Sequence, residues 1–212
     1  MYSLTMHAYS SSTRAGRHFS FGASVEEHLP EQVGDMLPSF HRLFRRILDA
    51  SVPTFAAVRG QCLDGGLELA AFCHRLFASA DATLGQPEII LGVFAPVASV
   101  ILAERMGRGP ADLCISGRTI SGTEAADLGL VDELADDPTD AALAYARAHL
   151  LPKSAASLRF ATRAVRLGFA RRFDEDLAQT EQLYLEGLMA TADAKEGIRA
   201  FVEKREPTWT NA

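Results

Sequence analysis

Two carboxylates of this 212-residue chain stand in apolar surroundings. Glu68 lies in G-G-L-E-L-A, directly after the paired glycines Gly65 and Gly66, and Glu88 lies in Q-P-E-I-I-L-G. Burial raises the pKa of a carboxyl group, and a carboxyl with a raised pKa can transfer protons near neutral pH. We therefore expect Glu68 and Glu88 to take acid and base roles. The alternative is that both are structural, each satisfied by a salt bridge.

The glycines before Glu68 predict a place where a substrate can come close to the backbone. Thr54–Val58 has the composition of a buried strand, a glycine-bearing turn follows, and an apolar helix then begins. The first N–H groups of a helix lack intrahelical partners and lie at the positive end of its dipole. Without a Cβ, the glycines leave these groups accessible to a carbonyl oxygen that gains negative charge. Gln86 precedes a proline, so we expect an extended entry to Glu88.

The elements around these residues indicate an α/β domain. Short strand signals alternate with helix signals in the first half of the chain, and the end of the chain is helical. Segments 155–168 and 174–189 predict separate helices with a break near Arg171. The apolar stripe of Leu177, Tyr184 and Leu188 favours core or subunit contact over a cofactor site. The predicted organisation is an irregular segment at 1–17, an α/β core at 18–150 and a C-terminal helical region at 151–212.

Two helix starts carry a capping-box pattern. Ser24 with Glu27, and Ser121 with Glu124, have the serine and the glutamate three residues apart that this motif requires. We expect a helix to begin at each serine.

Composition narrows the possible classes of function. The chain is 48% hydrophobic and 23% charged, which is typical of a globular protein, and its net charge of −6 argues against a nucleic-acid surface. No apolar run is long enough to span a bilayer, and no signal peptide is visible. The three cysteines, Cys62, Cys73 and Cys114, have no metal-type spacing and indicate free thiols in a reducing cytoplasm. We expect no metal, no membrane partner and a cytoplasmic location.

Four motifs, in order, resemble the crotonase (enoyl-CoA hydratase/isomerase) family. V-R-G-Q-C-L-D-G-G-L-E-L-A and G-Q-P-E-I-I-L-G are similar to the family patterns V-N-G-x-A-x-G-G-G-x-E-L-A and F-x-x-P-E-x-x-L-G. His18–Ser24 and the ending E-G-I-R-A-F-V-E-K-R also match, so the resemblance runs from His18 to about Trp209. It implies a spiral of ββα units with a C-terminal helical trimerisation region, assembled as trimers or dimers of trimers.

The resemblance also implies roles for individual residues. The backbone N–H groups of Ala23 and Gly65 would bind the thioester oxygen of an acyl-CoA, and Phe21 lies in the same substrate-binding motif as Ala23. Glu68 and Glu88 match the catalytic glutamates, which would handle water and a carbon-bound proton; the sequence does not say which does which.

Residues at the end of the chain and after Gly92 extend this predicted site. Phe201 and Lys204 match positions that reach toward coenzyme A, often that of a neighbouring subunit; the alternative for Lys204 is a surface side chain. After Gly92, Phe94, Pro96 and Val97 replace small residues of hydratases, and we expect them to form a flat apolar wall beside the acyl group.

The stretches F-S-F-G-A-S-V-E-E-H and L-G-V-F-A-P-V-A-S are similar to cyclohexa-1,5-diene-1-carbonyl-CoA hydratases of anaerobic aromatic degradation. The main prediction is a hydro-lyase that adds water to a cyclic dienoyl-CoA, with no cofactor besides the coenzyme A of the substrate. The alternatives are a general enoyl-CoA hydratase or isomerase, and a non-catalytic acyl-CoA-binding protein.

Family members usually carry a longer segment before the motif that begins here at Phe19. We therefore expect a chain that lacks the first strands of the family and part of the nucleotide pocket, through truncation or a mis-assigned start.

Overall fold

The computed structural model describes residues 4–6, 16–107 and 110–211, in which short strands alternate with helices. The strands are β1 (Leu4–Met6), β2 (Thr54–Val58), β3 (Gln61–Leu63), β4 (Arg75–Ala78), β5 (Thr83–Gly85), β6 (Thr119–Ser121) and β7 (Glu133–Leu134). The α-helices are α1 (Val33–Ala50), α2 (Gly65–Phe72), α3 (Pro96–Met106), α4 (Pro110–Ser116), α5 (Gly122–Asp127), α6 (Pro138–His149), α7 (Ala155–Gln182) and α8 (Ala192–Val202). There are also 3-10 helices at Val25–His28, Pro87–Leu91 and Leu188–Ala190, and a π-helical turn at Leu183–Gly187.

The strands form two sheets. The larger sheet is parallel throughout, in the order β1-β2-β4-β7, and the smaller has β5 between the parallel strand β3 and the antiparallel strand β6. Parallel neighbours need long crossovers, and the helices between them supply these connections. The almost fully buried, apolar β2 is typical of a strand covered on both faces. The predicted α/β class is confirmed.

The segment predicted to be irregular contains one strand. β1 pairs in parallel with β2, with Leu4 opposite Thr54 and Met6 opposite Ala56. The rest of that prediction, apart from Gly16 and Arg17, lies outside the described residues. β1 therefore forms the edge of the larger sheet beside β2.

Two clusters of buried side chains matter for the site. The larger one packs α1, α2, α3 and α7 against the sheets around Phe44, Leu67, Leu102 and Phe173. The smaller one joins α1, α8 and the π-helical turn, and its buried members are Val33, Leu37, Val93, Tyr184, Met189, Ala194 and Ile198. Burial of each large apolar side chain stabilises the fold by about 1.5–3 kcal/mol. The two clusters fix the elements that carry the predicted site residues.

Helix α7 corrects the predicted break near Arg171. It is continuous over 28 residues, and Phe173 and Leu177, directly after the predicted break, are fully buried in the larger cluster. Arginine is a good helix former, so the local sequence does not interrupt the helix. The packing of Phe173 and Leu177 in the core stabilises the helix beyond Arg171. No helix of the described ranges is long and apolar enough to cross a membrane.

Candidate active site

The turn between β3 and α2 has an unusual backbone at Asp64. This residue has φ 54° and ψ −137°, a conformation that is rare for residues other than glycine. The glycines that follow are required by close neighbours. A Cβ on Gly66 would lie 2.4 Å from the Cβ of Ser20, and one on Gly65 would lie 2.9 Å from Cζ of Phe40. Close packing against Ser20 and Phe40 therefore explains why both positions are glycine.

The two predicted oxyanion donors meet on one acceptor, the carboxylate of Asp64. The N–H of Ala23 donates to Oδ2 of Asp64 at 3.2 Å, and the N–H of Gly65 donates to Oδ1 at 2.6 Å. Gly22, with φ 100°, makes this possible, because a Cβ there would lie 2.2 Å from the same Oδ2. Residues 41 positions apart thus converge as a pair of donors on a negatively charged oxygen group. An oxyanion hole needs this arrangement.

Glu68 is buried in α2 and faces the N-terminus of α3. Its Oε1 accepts the N–H of Ala98 at 2.6 Å, and its side chain is 3% exposed. Pro96 opens α3, where a proline loses no helical hydrogen bond. Burial, followed by the charge of Asp64, raises the pKa of Glu68 to about 8 in spite of the backbone hydrogen bonds from Ala98 and Val97. Glu68 therefore exchanges protons close to neutral pH.

Glu88 lies on the 3-10 helix Pro87–Leu91 and is also buried. Burial, then the charge of Asp64 and a side-chain hydrogen bond with it, and then the charge of Glu68, raise the pKa of Glu88 to about 10. With its amide nitrogen turned toward Glu88, Gln86 donates to the two carboxyl oxygens at 2.6 Å and 3.1 Å. The ion pairs of the described residues include neither Glu68 nor Glu88, so the alternative of structural salt bridges finds no partner there.

Tyr184 brings an unpaired hydroxyl to this centre. It lies on the π-helical turn, is 1% exposed, and packs its ring edge-on against Phe94 with the centroids 5.3 Å apart. Its hydroxyl has no hydrogen-bond partner among the described residues. Burial raises its pKa, and the charges of Asp64 and Glu88 raise it further. π-turns are rare and are frequent at functional sites.

Sequence reasoning missed both Asp64 and Tyr184. Asp64 did leave a signal, because it stands at the first position of the G-G-G run in the pattern V-N-G-x-A-x-G-G-G-x-E. Tyr184 left none, since an aromatic residue in an apolar stripe is ordinary core.

Of the three predicted wall residues, Val97 contacts Glu68, and it does so through a backbone hydrogen bond. Pro96 and Val97 are buried at the first positions of α3, and the side chain of Val97 packs in the larger cluster. Phe94 is partly buried and contacts the smaller cluster. Phe94 therefore packs against Tyr184, and the flat wall of Phe94, Pro96 and Val97 stays a prediction.

Three predicted substrate-binding residues lie at the surface. Phe21 is 64% exposed and its ring packs against that of His18. Phe201, 52% exposed, and Lys204 stand at the end of α8. Their roles in binding coenzyme A stay predictions.

An open cavity of about 640 Å³ lies beside Ala23, one of the two predicted donor residues. Ala23, Met36 and Phe40 line it, and Glu27 and Asp35 also lie in its wall. A second cavity of about 480 Å³ lies between α1 and α7 and contains none of the predicted site residues. The first cavity therefore adjoins one of the two residues predicted to bind the thioester oxygen.

The C-terminal tail holds the 3-10 helix of Glu88 in place. Gly92 ends this helix with φ 72°, and a Cβ on it would lie 3.1 Å from the ring of Trp209. A Cβ on Gly197 of α8 would lie 2.1 Å from the carbonyl oxygen of Leu91 and 2.9 Å from the same ring. α8 and Trp209 thus press directly on the backbone that follows Glu88.

The acidic groups do not form a metal site. Within residues 4–6, 16–107 and 110–211, no group of three or more histidine, cysteine or acidic side chains has a geometry that could hold a metal ion.

Comparisons with known proteins identify the family of this chain. The model of the family described as enoyl-CoA hydratase/isomerase matches residues 12–212. The chain is 54% identical over 197 residues to a cyclohexa-1,5-dienecarbonyl-CoA hydratase of Thauera aromatica, covering 92% of this chain and 76% of that protein. It is 36% identical over 206 residues to a probable enoyl-CoA hydratase of Bacillus subtilis, covering 91% and 77%. A crystal structure of an enoyl-CoA hydratase from Mycobacterium avium subsp. paratuberculosis superposes with a TM-score of 0.77 at 26% identity, covering 92% and 77%.

Proposed function

Because this chain belongs to the enoyl-CoA hydratase/isomerase family, we propose that it adds water to a cyclic dienoyl-CoA such as cyclohexa-1,5-diene-1-carbonyl-CoA. The crotonase fold is shared with the solved hydratases. The observation that carries the proposal is the convergence of the N–H groups of Ala23 and Gly65 beside two buried carboxyls with raised pKa. The 54% identical Thauera aromatica hydratase supports the cyclic substrate.

The donor pair supplies the electrostatic part of the mechanism. In the complex, the thioester oxygen takes the place that the Asp64 carboxylate occupies here, and it accepts the N–H groups of Ala23 and Gly65. Negative charge that develops on this oxygen as water adds is then stabilised by fixed donors. Such a donor is typically worth roughly 10²–10³ in rate.

The two glutamates supply the proton transfers. Glu68 has the lower pKa, about 8 against about 10, so it is the one that ionises more readily. As a carboxylate it removes a proton from water while the water oxygen bonds to carbon. Protonated Glu88 donates the proton that completes the addition of H and OH across the unsaturated system. Each glutamate regains its starting state by proton exchange with solvent.

The 54% identical hydratase supports a ring as the acyl group, and the predicted wall residue Phe94 would contact that ring. The test compares the cyclic dienoyl-CoA with crotonyl-CoA, and the cyclic ester should have a kcat/KM higher by at least about tenfold, since small shape differences in an apolar pocket are worth about 1–3 kcal/mol. Phe94→Leu is the matched variant and should reduce this preference. Equal or better use of crotonyl-CoA would place the protein among general enoyl-CoA hydratases. Binding without turnover of either ester would indicate a non-catalytic acyl-CoA-binding protein.

The proposal includes no cofactor besides the coenzyme A carried by the substrate, because fixed N–H groups and carboxyls supply what hydration requires. It includes a cytoplasmic location, supported by three free cysteines.

A homotrimer, alone or in pairs, also belongs to the proposal. Phe160, Val165 and Leu167 on α7 are 75%, 76% and 66% exposed, and such apolar surface is typical of protein contacts. Light scattering should give three or six times the mass of the 22.9 kDa chain. Val165→Asp should lower that mass, whereas Arg163→Asp on the same helix serves as a control for added charge.

A further inference from the structure

Asp64 occupies the two donors that the proposed reaction needs. Both N–H groups are engaged, Ala23 with one carboxylate oxygen and Gly65 with the other. A thioester oxygen can bind both donors only after this carboxylate has left. Resting on the proposed acyl-CoA function, we infer that the Asp64 carboxylate holds the oxyanion donors in the free protein, and that entry of the thioester oxygen moves it to the hydroxyl of Tyr184.

The backbone of Asp64 shows how strongly the carboxylate is held. Its φ of 54° and ψ of −137° carry a cost for any residue with a Cβ. Hydrogen bonds from N–H groups to a charged acceptor are about twice as strong as neutral ones, and they offset part of that cost. Gly22 contributes by leaving open the space beside Oδ2. The carboxylate is therefore a strong competitor of an uncharged thioester oxygen.

The hydroxyl of Tyr184 offers the displaced carboxylate another partner. A buried hydroxyl without a hydrogen bond is destabilising, and this one lies close enough to Asp64 for the carboxylate charge to raise its pKa. Glu88 is the other acidic group that acts on it, and Glu88 already has hydrogen-bond partners in Gln86 and Asp64. The inferred rotation of the Asp64 side chain exchanges two N–H donors for a hydroxyl donor and leaves the strained backbone in place.

The consequence is that Asp64 sets the affinity of the site for thioesters but not for free coenzyme A, which has no carbonyl at this position. Tyr184 lowers the energy of the displaced state and so favours thioester binding. The two effects are coupled, because Tyr184 matters only when a carboxylate at position 64 needs a second partner.

The experiment is a double-mutant cycle of Asp64→Asn and Tyr184→Phe, read by calorimetry with butanoyl-CoA, a saturated thioester, and with free coenzyme A. Asp64→Asn keeps the size of the side chain and removes its charge. It should tighten butanoyl-CoA binding by about tenfold or more and leave coenzyme A binding unchanged. Tyr184→Phe should weaken butanoyl-CoA binding by about fivefold in the wild-type background and have no effect in the Asp64→Asn background.

Thermal unfolding separates this role from a structural one. Tyr184→Phe removes an unpaired buried hydroxyl, so its Tm should equal or exceed that of the wild type. Asp64→Gly restores unstrained geometry and should also tighten butanoyl-CoA binding; it replaces Asp64→Asn if that variant does not fold.

The outcomes distinguish the inference from the proposed function. If the wild type hydrates the cyclic dienoyl-CoA but neither position 64 variant changes the affinity for butanoyl-CoA, the inference is overturned and the function stands. If Tyr184→Phe weakens binding equally in both backgrounds, or has no effect in either, the transfer to Tyr184 is overturned. A wild type that neither hydrates acyl-CoA esters nor binds butanoyl-CoA better than coenzyme A overturns the function and the inference together.

Discussion

Two regions of the molecule hold ionisable side chains largely away from solvent and treat them in opposite ways. Where α3 meets the end of α2, Arg105 donates to the carbonyl oxygens of Leu130, Ala71 and Cys73 at 3.1, 3.2 and 2.9 Å. It also forms an ion pair with Asp132. Every side of this guanidinium group has an acceptor, and the group joins segments that are distant in the sequence. We call it the arginine junction.

In the other region, which we call the carboxyl centre, Asp64, Glu68 and Glu88 lie close together, and the ion pairs of the described residues include none of the three. Glu68 accepts backbone N–H groups, Glu88 is hydrogen-bonded to the amide of Gln86 and to the side chain of Asp64, and the pKa of both glutamates is raised. The protein therefore balances Arg105 with an anion and carbonyl oxygens, whereas in the carboxyl centre burial keeps protons on the two glutamates. Perturbed groups of this kind are typical of sites that transfer protons.

The largest expected effect is on turnover in the carboxyl centre. Glu68→Gln and Glu88→Gln should each lower kcat by at least roughly 10², since general acid–base catalysis contributes about 10²–10⁴. Glutamine keeps the volume of the side chain, so butanoyl-CoA affinity should be nearly unchanged. Full activity of either variant would remove that glutamate from the mechanism. It would also weaken the contrast between the carboxyl centre and the arginine junction.

The next effect is on the donor pair. Gly65→Pro removes one N–H at the first position of α2, a position where helices accept proline, and should lower kcat by roughly 10²–10³. Circular dichroism must show that the helix persists, because Phe40 lies close to the new side chain. A folded variant with normal turnover would contradict the assignment of Gly65 as an oxyanion donor.

Substitutions in the arginine junction should change the free energy of unfolding but not kcat. Arg105→Met removes the partner of three carbonyl oxygens and of Asp132, and should lower the free energy of unfolding by about 3 kcal/mol. Urea unfolding measures this loss, and kcat per folded molecule should be unchanged. Asp132→Asn is the control that removes only the ion pair, and its loss should be smaller. A fall in kcat of folded Arg105→Met would mean that the two regions are not independent.

The smallest effect concerns pH and stability. The folded protein holds a proton on Glu68 up to a pKa of about 8, whereas the unfolded chain releases it near the ordinary glutamate pKa of 4.5. The folded state thus binds more protons between these values, and the Glu68 contribution to stability falls as pH rises through this window. The fall should be about 1.4 kcal/mol for each pH unit.

Urea unfolding of the wild type and of Glu68→Gln at about pH 5.5 and about pH 6.5 measures this contribution. The free energy of unfolding of the variant should rise relative to that of the wild type as pH rises. This relative increase should vanish near pH 4.5. A constant difference between the two proteins would show that Glu68 is not protonated more readily in the folded state.

Sequence patterns predicted the parts of the site that depend on local chemistry. A strand, a glycine turn and an apolar helix place Glu68 in the core, and Pro87 fixes the extended entry to the helix of Glu88. The family patterns then identified Ala23 and Gly65, whose N–H groups the structure brings together.

Features that depend on tertiary contacts were not predictable. The two capping boxes show this well: Ser121 accepts the N–H of Glu124 at 3.1 Å, whereas Ser24 bonds the side chain of Glu26 and opens only a 3-10 helix. Local spacing is the same in both, so only the packing differs. The contact of Asp64 with Ala23 and the unpaired hydroxyl of Tyr184 likewise depend on neighbours distant in the chain.

The position of Trp209 gives the protein a built-in optical probe. It is the single tryptophan of the chain, and its indole ring lies against Gly92, which ends the helix of Glu88. Emission excited near the red edge of protein absorption therefore comes from one known place beside the carboxyl centre. Ligands that shift this helix will change the wavelength and the quenching of that emission, so binding can be followed in stopped-flow experiments without a label.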